Sequence, residues 1–136
     1  MGNLPMILVR TTLEPSPRHG IGLFAAEFIS EGTITWKYDP YFDTSFPESA
    51  IERMSLPARE KFMSYAYFDD DLKEYVLCFD DQRFINHCST NWNILSTPQM
   101  DVAARDIEIG EELLCDYRAY EAAWFERRNR APEMFK

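Results

Sequence analysis

Two polar segments constrain the fold most, because each lies within apolar, strand-like sequence. The first is RFINHCS at residues 83–89, and the second is GEELLCDY at residues 110–117. A strand that packs in a core must satisfy every polar side chain that it carries inward. We therefore predict that separate parts of the chain assemble one site. The groups to be explained are Asn86, His87, Asp116 and Tyr117.

The order of three motifs resembles the SET-domain protein lysine methyltransferases. The motifs are GIGLFA at residues 20–25, RFINHC at 83–88 and GEELLCDY at 110–117, with Tyr38 between the first two. Within that family the chain is most similar to the short stand-alone bacterial or viral SET proteins, which lack flanking zinc-binding domains. The resemblance implies a mainly β fold, the β-clip SET fold. Its several short strands form small sheets, and the second and third motifs thread past each other in a knot-like crossing.

Length and composition predict a single domain. The chain has 136 residues and 46% hydrophobic content, which suffices for one compact core but not for two. We expect one SET domain over 1–136, with its core at about 7–120. No run approaches the ~20 apolar residues that a membrane span needs, and no signal sequence is recognisable. We therefore expect no membrane association and a cytoplasmic location, or a nuclear or host compartment if the protein is viral or an effector.

The charge balance bears on the partner. A formal net charge of −9 argues against direct nucleic-acid binding, which needs clustered Lys and Arg. An acidic surface favours a basic, lysine-containing protein or peptide, histone-like proteins included. Acidity that only keeps a small protein soluble explains the charge equally well. A homodimer is also compatible with the resemblance, because some small SET proteins pair to complete their sites.

The three cysteines, Cys78, Cys88 and Cys115, are widely spaced and contain no C-x-x-C pair. This spacing favours three small buried hydrophobic residues over a disulfide framework or a zinc site. We expect no metal in the site.

Periodicity predicts short strands, one helical insert and a helical tail. The insert spans about 47–66, where Ser49-Ala50-Ile51-Glu52 fits a capping box and Pro57 can open a second helix. The tail spans about 118–130, with basic residues near its end. Strand composition occurs at 7–12, 23–25, 33–38, 75–79, 102–105 and 112–115.

The resemblance implies methyl transfer from S-adenosylmethionine to a lysine amine and assigns the site residues. Tyr117 is the central catalytic residue, and Tyr38 is a second active-site tyrosine. Taken alone, the glycines would more often form a tight turn, the Asn-His pair a satisfied turn, and the tyrosine part of a core. Assigned to cofactor binding are Gly20, Ile21, Gly22, Arg83, Asn86, His87, Tyr117 and Trp124, the last as a ring that stacks on adenine.

Further side chains are candidates for the wall of a lysine channel, because aromatic faces suit an alkyl stem that ends in a methylated ammonium. A core role is at least as common for any one aromatic residue. The candidates are Tyr65, Tyr67, Phe68 and Tyr120, with Cys115 beside the amine.

The chain departs from the family pattern at three places. The segment NHCSTNWN at 86–93 has Cys in place of Ser, no proline and a shifted final Asn, which weakens the expectation of tight cofactor binding. Cys115 stands where many members carry Phe or Tyr, which predicts room for a second or third methyl group. Pro40 stands where a glycine is expected after Tyr38.

Two other functions compete with methyl transfer. A catalytically silent SET-like module that binds a peptide or partner is the first, because fold does not guarantee activity. A hydrolase that uses His87 with Asp116 is the second, but the sequence shows neither a nucleophile nor an oxyanion site.

Overall fold

The computed structural model describes residues 6–117, which contain short strands and few helices. In chain order the elements are β1 (Met6–Ile7), β2 (Thr11–Pro15), β3 (Ile21–Ala25), β4 (Ile34–Lys37), β5 (Thr44–Phe46), α1 (Glu48–Glu52), α2 (Leu56–Tyr65), β6 (Tyr67–Asp69), β7 (Glu74–Leu77), a 3-10 helix (Asp81–Phe84), β8 (Asn86–His87), β9 (Ile94–Ser96), β10 (Met100–Ala103) and β11 (Leu114–Cys115).

The strands form three small sheets. The largest has six strands in the order β1-β4-β10-β9-β11-β8, and β2 and β3 form a separate hairpin. The third sheet has the order β5-β7-β6, and its Tyr75 packs with Ile51 of α1 and Phe62 of α2. This arrangement confirms the predicted mainly β fold of short strands in small sheets.

β11 lies between β8 and β9, although those two strands are neighbours along the chain. Leu114 and Cys115 of β11 pair in parallel with Asn86 and His87 of β8, and Cys115 also pairs with Ile94 of β9. The connection from β8 to β9 must therefore cross β11. This is the knot-like crossing that the resemblance implies, and it places the second and third motifs side by side.

The side chain of Asn93 ties the crossing together from within. Its Nδ2 donates to the carbonyl of Glu112 (2.9 Å), and its Oδ1 accepts from the backbone N–H of Leu114 (2.8 Å). The backbone of Asn93 also donates to the carbonyl of Leu114 (2.9 Å). Asn93 is 1% exposed, so these bonds have no competition from water. The shifted Asn of the second motif therefore closes the loop over β11.

The main core lies between the β2–β3 hairpin and the six-stranded sheet. Leu23 and Ala25 of β3 are buried against residues of β9, β10 and β11. A second buried cluster forms around Trp36 of β4 and a third around the two helices. The buried residues of the main cluster are Leu23, Ala25, Ile29, Ile85, Ile94, Ala103, Ile107, Leu113 and Cys115.

Several strand boundaries differ from the sequence prediction. The single strand predicted at 7–12 is two strands, because the chain leaves β1 after Ile7 and pairs again as β2 with β3. β5, β6 and β9 were not predicted from the sequence. Each has only three residues and is stabilised by pairing with its neighbouring strand. The predicted helical tail at about 118–130 lies outside the described residues.

The helical insert is confirmed at 48–65, but its predicted capping box is wrong. α1 begins after Pro47, with no hydrogen bond from a capping side chain, and Ser49 lies inside the helix. α2 does begin at the predicted place, where Ser55 accepts from the N–H of Ala58 (3.3 Å) and Pro57 occupies the first turn. None of the helices within residues 6–117 is long and apolar enough to cross a membrane.

Substitution of Ser55 should lower stability more than substitution of Ser49 does. Ser55→Ala should lower the free energy of unfolding by about 0.5–2 kcal/mol, because the N–H of Ala58 loses its acceptor. Ser49→Ala is the matched control and should change stability by no more than a few tenths of a kcal/mol. Urea unfolding followed by circular dichroism measures both. Equal losses in the two variants would contradict the assignment of Ser55 as the cap.

Candidate active site

The parallel pairing of β8 with β11 brings His87 and Tyr117 together. The backbone N–H of Tyr117 donates to Nδ1 of His87 (3.1 Å), and the two ring centroids are 5.1 Å apart. A ring nitrogen that accepts a hydrogen bond carries no proton, so this bond selects the neutral imidazole with its proton on Nε2. The second and third motifs therefore meet in one place.

The hydroxyl of Tyr117 is held by the chain itself. It donates to the backbone carbonyl of Ile85, with an oxygen–oxygen distance of 2.6 Å. The residue is partly exposed, but its ring packs against the main core. Burial, helped by the nearby Cys115, Asp101 and Cys78, raises the pKa of Tyr117 well above its ordinary value. The group is therefore a neutral hydroxyl at any physiological pH.

His87 and Asp116 do not form a general-base pair of the kind that a hydrolase uses. The nearest approach is 3.7 Å, from His87 Nδ1 to Asp116 Oδ1. That nitrogen already accepts the N–H of Tyr117, so it cannot donate a proton to the carboxylate at the same time. The geometry therefore weighs against the hydrolase hypothesis.

Asn86 ties the glycine loop to the third motif. Its Nδ2 donates to the carbonyls of His19 (3.0 Å) and Ile21 (3.3 Å) and to Oε2 of Glu112 (2.9 Å). All three partners are acceptors, which fixes the amide with its nitrogen toward them. Oδ1 of Asn86 is therefore turned away from these groups.

Glu112 is a site residue that the sequence analysis missed. Both oxygens of its carboxylate accept from the hydroxyl of Ser16 (2.9 Å each), and one accepts from Asn86. A Cβ on Gly22 would collide with this carboxylate and lie 3.0 Å from Cβ of Ser16. The signal in the sequence was that Glu112 directly precedes the apolar run of Leu113, Leu114 and Cys115, all of which are buried, so that its carboxylate needs polar partners.

The two glycines of the first motif have different reasons to be glycine. Gly20 has a left-handed φ of +47°, and a Cβ there would meet nothing within 4 Å. Gly22 is buried, and its lack of a side chain makes room for the carboxylate of Glu112. Only Gly20 therefore leaves open space beside the backbone, next to Ile21, whose side chain is 48% exposed.

Arg83 stabilises the turn that precedes the second motif. Its Nε donates to the carbonyl of Cys78 (3.1 Å) and its Nη2 to the carbonyl of Phe79 (3.3 Å). In the structure these bonds join the 3-10 helix to the end of β7. A role for Arg83 in cofactor binding stays a prediction.

Tyr38 lies beside the second cluster and is surrounded by carboxylates. It packs against Trp36, Tyr67 and Cys78, and its backbone N–H donates to the carbonyl of Gln99 (2.8 Å). Burial raises its pKa, and negative charges nearby raise it further. Those charges belong to Asp43, Asp69, Asp39 and Glu74.

The candidate channel residues have different surroundings. Tyr67 is 9% exposed, and its hydroxyl donates to the carbonyl of Pro98 (2.8 Å), which places the ring in the core. Phe68 packs on Tyr75, and Tyr65 packs edge-on against Phe84 of the 3-10 helix, with centroids 5.2 Å apart. The predicted channel role of all three stays untested. Tyr120 and Trp124 lie outside the described residues.

The cysteines of the two motifs are both buried. Cys115 is fully buried in the main core, so added bulk there would displace core side chains. Cys88, in the loop over β11, accepts from the N–H of Asn91 (3.3 Å). Burial raises the pKa of Cys88, but bonds from Thr90 and Asn91 outweigh it, so the pKa lies below its ordinary value. Residues 6–117 contain no group of three His, Cys, Asp or Glu side chains that could hold a metal ion.

The clash at Gly22 can be tested by a double-mutant cycle. Gly22→Ala should lower the free energy of unfolding by about 1–3 kcal/mol, because its Cβ overlaps the carboxylate of Glu112. In a Glu112→Ala background that cost should shrink, since the obstructing group is gone. Gly20→Ala is the control, because its cost comes from backbone strain and should be the same in both backgrounds. A cost for Gly22→Ala that is independent of Glu112 would contradict the contact.

The SET domain family model matches residues 20–118 of the chain. No curated protein sequence matches this chain. The matched range includes all three motifs and ends one residue after Tyr117.

Solved structures with the same fold come from larger and smaller proteins. A structure of apo Polycomb repressive complex 2 from Chaetomium thermophilum, with two substitutions in Ezh2, is 24% identical with a TM-score of 0.66 over 88% of this chain. A second structure of that complex is 26% identical, with a TM-score of 0.58 over 80% of this chain. This chain covers only 16% and 15% of those two chains.

A third similar structure has a comparable length. It is a Plasmodium falciparum protein assigned as a histone methyltransferase, with 18% identity and a TM-score of 0.58 over 82% of this chain and 95% of that one. Its likeness to this chain lies in the fold. Since the family model matches most of the chain, and bonds of Asn86 and Tyr117 join its three motifs, this protein belongs to the SET-domain family.

Proposed function

We propose that this protein is a protein-lysine N-methyltransferase that uses S-adenosylmethionine as the methyl donor. The observation that carries the proposal is the bond from the Tyr117 hydroxyl to the Ile85 carbonyl, beside the glycine loop held by Asn86. This bond brings the Ile85 carbonyl oxygen of the second motif and the Tyr117 hydroxyl oxygen of the third motif together. Membership of the SET-domain family supports the same reaction.

The residues around the glycine loop fit the cofactor. Gly20 leaves open space beside its backbone, and the exposed Ile21 offers an apolar surface. Oδ1 of Asn86 is turned away from the loop and can accept from an ammonium group. When bound, S-adenosylmethionine supplies a methyl group activated by a sulfonium centre.

Tyr117 can orient a lysine amine without exchanging a proton. Its hydroxyl stays protonated because burial raises its pKa, and it donates to Ile85. The phenol oxygen and the Ile85 carbonyl oxygen lie 2.6 Å apart, and we propose that an incoming amine binds against these two oxygens. Such an arrangement holds the amine in line for attack, which is what an in-line displacement requires.

The charge around Tyr38 favours a basic substrate segment. Four carboxylates raise the pKa of that tyrosine, and the whole chain has a formal net charge of −9. Similar proteins point the same way, because one structure of the Polycomb complex contains two H3 ligands and the Plasmodium protein is assigned as a histone methyltransferase. We propose a lysine-rich, histone-like segment as substrate.

A partner-binding module without activity is the alternative. It requires no cofactor, and in it the bond from Tyr117 to Ile85 serves packing alone. Calorimetry with S-adenosylmethionine separates the two: micromolar binding supports the enzyme, and the absence of binding favours the module.

Tyr117→Phe should retain the fold and cofactor affinity but lower methyl transfer to a histone H3 peptide by about 100-fold or more, because the lost hydroxyl acts mainly in the transition state. Tyr41→Phe is the control, since it removes the hydroxyl of a side chain that is 92% exposed. It should leave both stability and turnover nearly unchanged. Near wild-type turnover in Tyr117→Phe would contradict the catalytic assignment.

Salt should weaken the binding of a basic substrate. Raising the ionic strength should increase KM for a lysine-rich peptide with little change in kcat, because screening weakens attraction to accessible charges such as Glu74, the least buried of the four carboxylates around Tyr38. Glu74→Gln should increase KM at low salt, whereas Glu31→Gln, which neutralises a carboxylate outside that group, should not. Steady-state kinetics at two salt concentrations measure the effect, and equal responses in both variants would contradict it.

A further inference from the structure

A carboxyl group lies buried in the middle of the six-stranded sheet. Asp101 belongs to β10, which pairs with β4 on one side and β9 on the other. Asp101 is 3% exposed. One oxygen of the carboxyl lies 2.5 Å from the side-chain amide of Gln82 in the 3-10 helix. Gln82 is itself 6% exposed, so the pair is a hydrogen bond between two buried side chains. Buried polar pairs cost desolvation, which calls for a reason beyond packing.

Three hydrogen bonds, joined through the backbones of Gln82 and Ile85, connect this pair to the active site. The backbone carbonyl of Gln82 accepts from the N–H of Ile85 (3.1 Å). The carbonyl of Ile85 in turn accepts from the hydroxyl of Tyr117 (2.6 Å). Gln82 is therefore attached to β10 by its side chain and to the residue that holds the tyrosine by its backbone.

We propose that Asp101 and Gln82 are positioning residues for Tyr117, because they fix the 3-10 helix that sets the place of the Ile85 carbonyl. The inference rests on the proposed methyltransferase function. Asp80 and Arg83 also fix this turn, through bonds to Ile7 of β1 and to Cys78 and Phe79. The Asp101–Gln82 bond is the attachment of the turn to β10.

The neighbours of Asp101 leave its carboxyl with little compensation. Trp36 of β4 and Ser96 of β9 stand directly opposite it in the sheet, and opposite residues of antiparallel strands share a face. The Trp36 Nε1 and the Ser96 Oγ have no hydrogen-bond partner within residues 6–117. The titratable groups close to it are the Cys78 thiol and the Tyr117 hydroxyl.

Asp101 can therefore change its protonation state near neutral pH. Burial raises the pKa of Asp101 to about 7, although the bond from Gln82 opposes part of that rise. Nε2 of Gln82 donates to the carboxyl in the structure, and a donated hydrogen bond favours the ionised form. Ionisation of Asp101 would strengthen that bond and add a buried charge near Tyr117.

The sign of the linkage follows from the raised pKa. The folded protein binds the proton of Asp101 more tightly than the unfolded chain does. The stability contributed by this group is therefore complete below the ordinary pKa of 3.8 and is lost as the pH rises to about 7. Asp101→Asn keeps a hydrogen-bonding partner for Gln82 and removes the titration, so its stability should not fall over that range.

The test compares wild type, Asp101→Asn and Gln82→Leu in methyl transfer to a histone H3 peptide between about pH 6 and pH 9. Gln82→Leu should lower kcat about tenfold while KM and cofactor affinity change less than about threefold, because the attachment acts on Tyr117 and not on binding. Asp101→Asn should retain kcat within about twofold at pH 6. The wild-type kcat profile should contain an added step near pH 7 that Asp101→Asn lacks.

A second readout does not depend on activity. In ¹³C,¹⁵N-labelled wild-type protein, the carbonyl signal of Ile85 and the amide signal of Tyr117 should shift with a common midpoint near pH 7, and Asp101→Asn should remove that shift. The absence of a midpoint in the wild type would overturn the inference, whether or not Gln82→Leu folds. An unchanged kcat in folded Gln82→Leu would overturn it too. Lack of any methyl transfer by the wild type would instead refute the proposed function, and the NMR titration would still decide on the coupling.

Discussion

The site depends on the passage of β11 between β8 and β9. Without it, the second and third motifs would lie in separate parts of the chain, and His87 would not meet Tyr117. Neither β8 nor β11 has more than two residues, so backbone pairing alone is a weak constraint. The buried amide of Asn93, with bonds to the backbone on both sides of Leu113, makes the crossing specific. A single side chain thus determines how the loop closes over the strand.

Polar groups around the site are held mainly by other parts of the chain. Asn86 and Ser16 satisfy the carboxylate of Glu112, while the Ile85 carbonyl satisfies Tyr117. Each of these bonds joins segments far apart in sequence, and the active-site geometry is therefore a property of the whole domain. Local sequence contributes less than the contacts made at a distance, as is usual for a fold built from short strands.

The resemblance that the three motifs carry predicted the fold class and the crossing, whereas local periodicity predicted the helical insert. The sequence did not predict β5, β6 or β9, which have three residues each and depend on pairing with other strands. The predicted cap of the first helix was also wrong, because the cap is Pro47 and not Ser49. The sequence did not show that Gly22 makes room for Glu112, and the role of Gly22 in cofactor binding stays a prediction. Such a contact could not be read without knowing the register between the two segments.

The crossing also has a consequence for how the protein is made. During synthesis the N-terminal part of a chain leaves the ribosome first, and contacts between distant residues form late. Asn86 and its acceptors in the glycine loop can meet early, but β11 can enter its slot only after residues 114–115 have emerged. Until then Leu23 and Ile94 lack the neighbours that bury them in the finished core. A nascent chain that pauses within residues 97–113 would therefore expose apolar surface and an unpaired strand edge, which makes that interval the stage at which chaperones have most to protect.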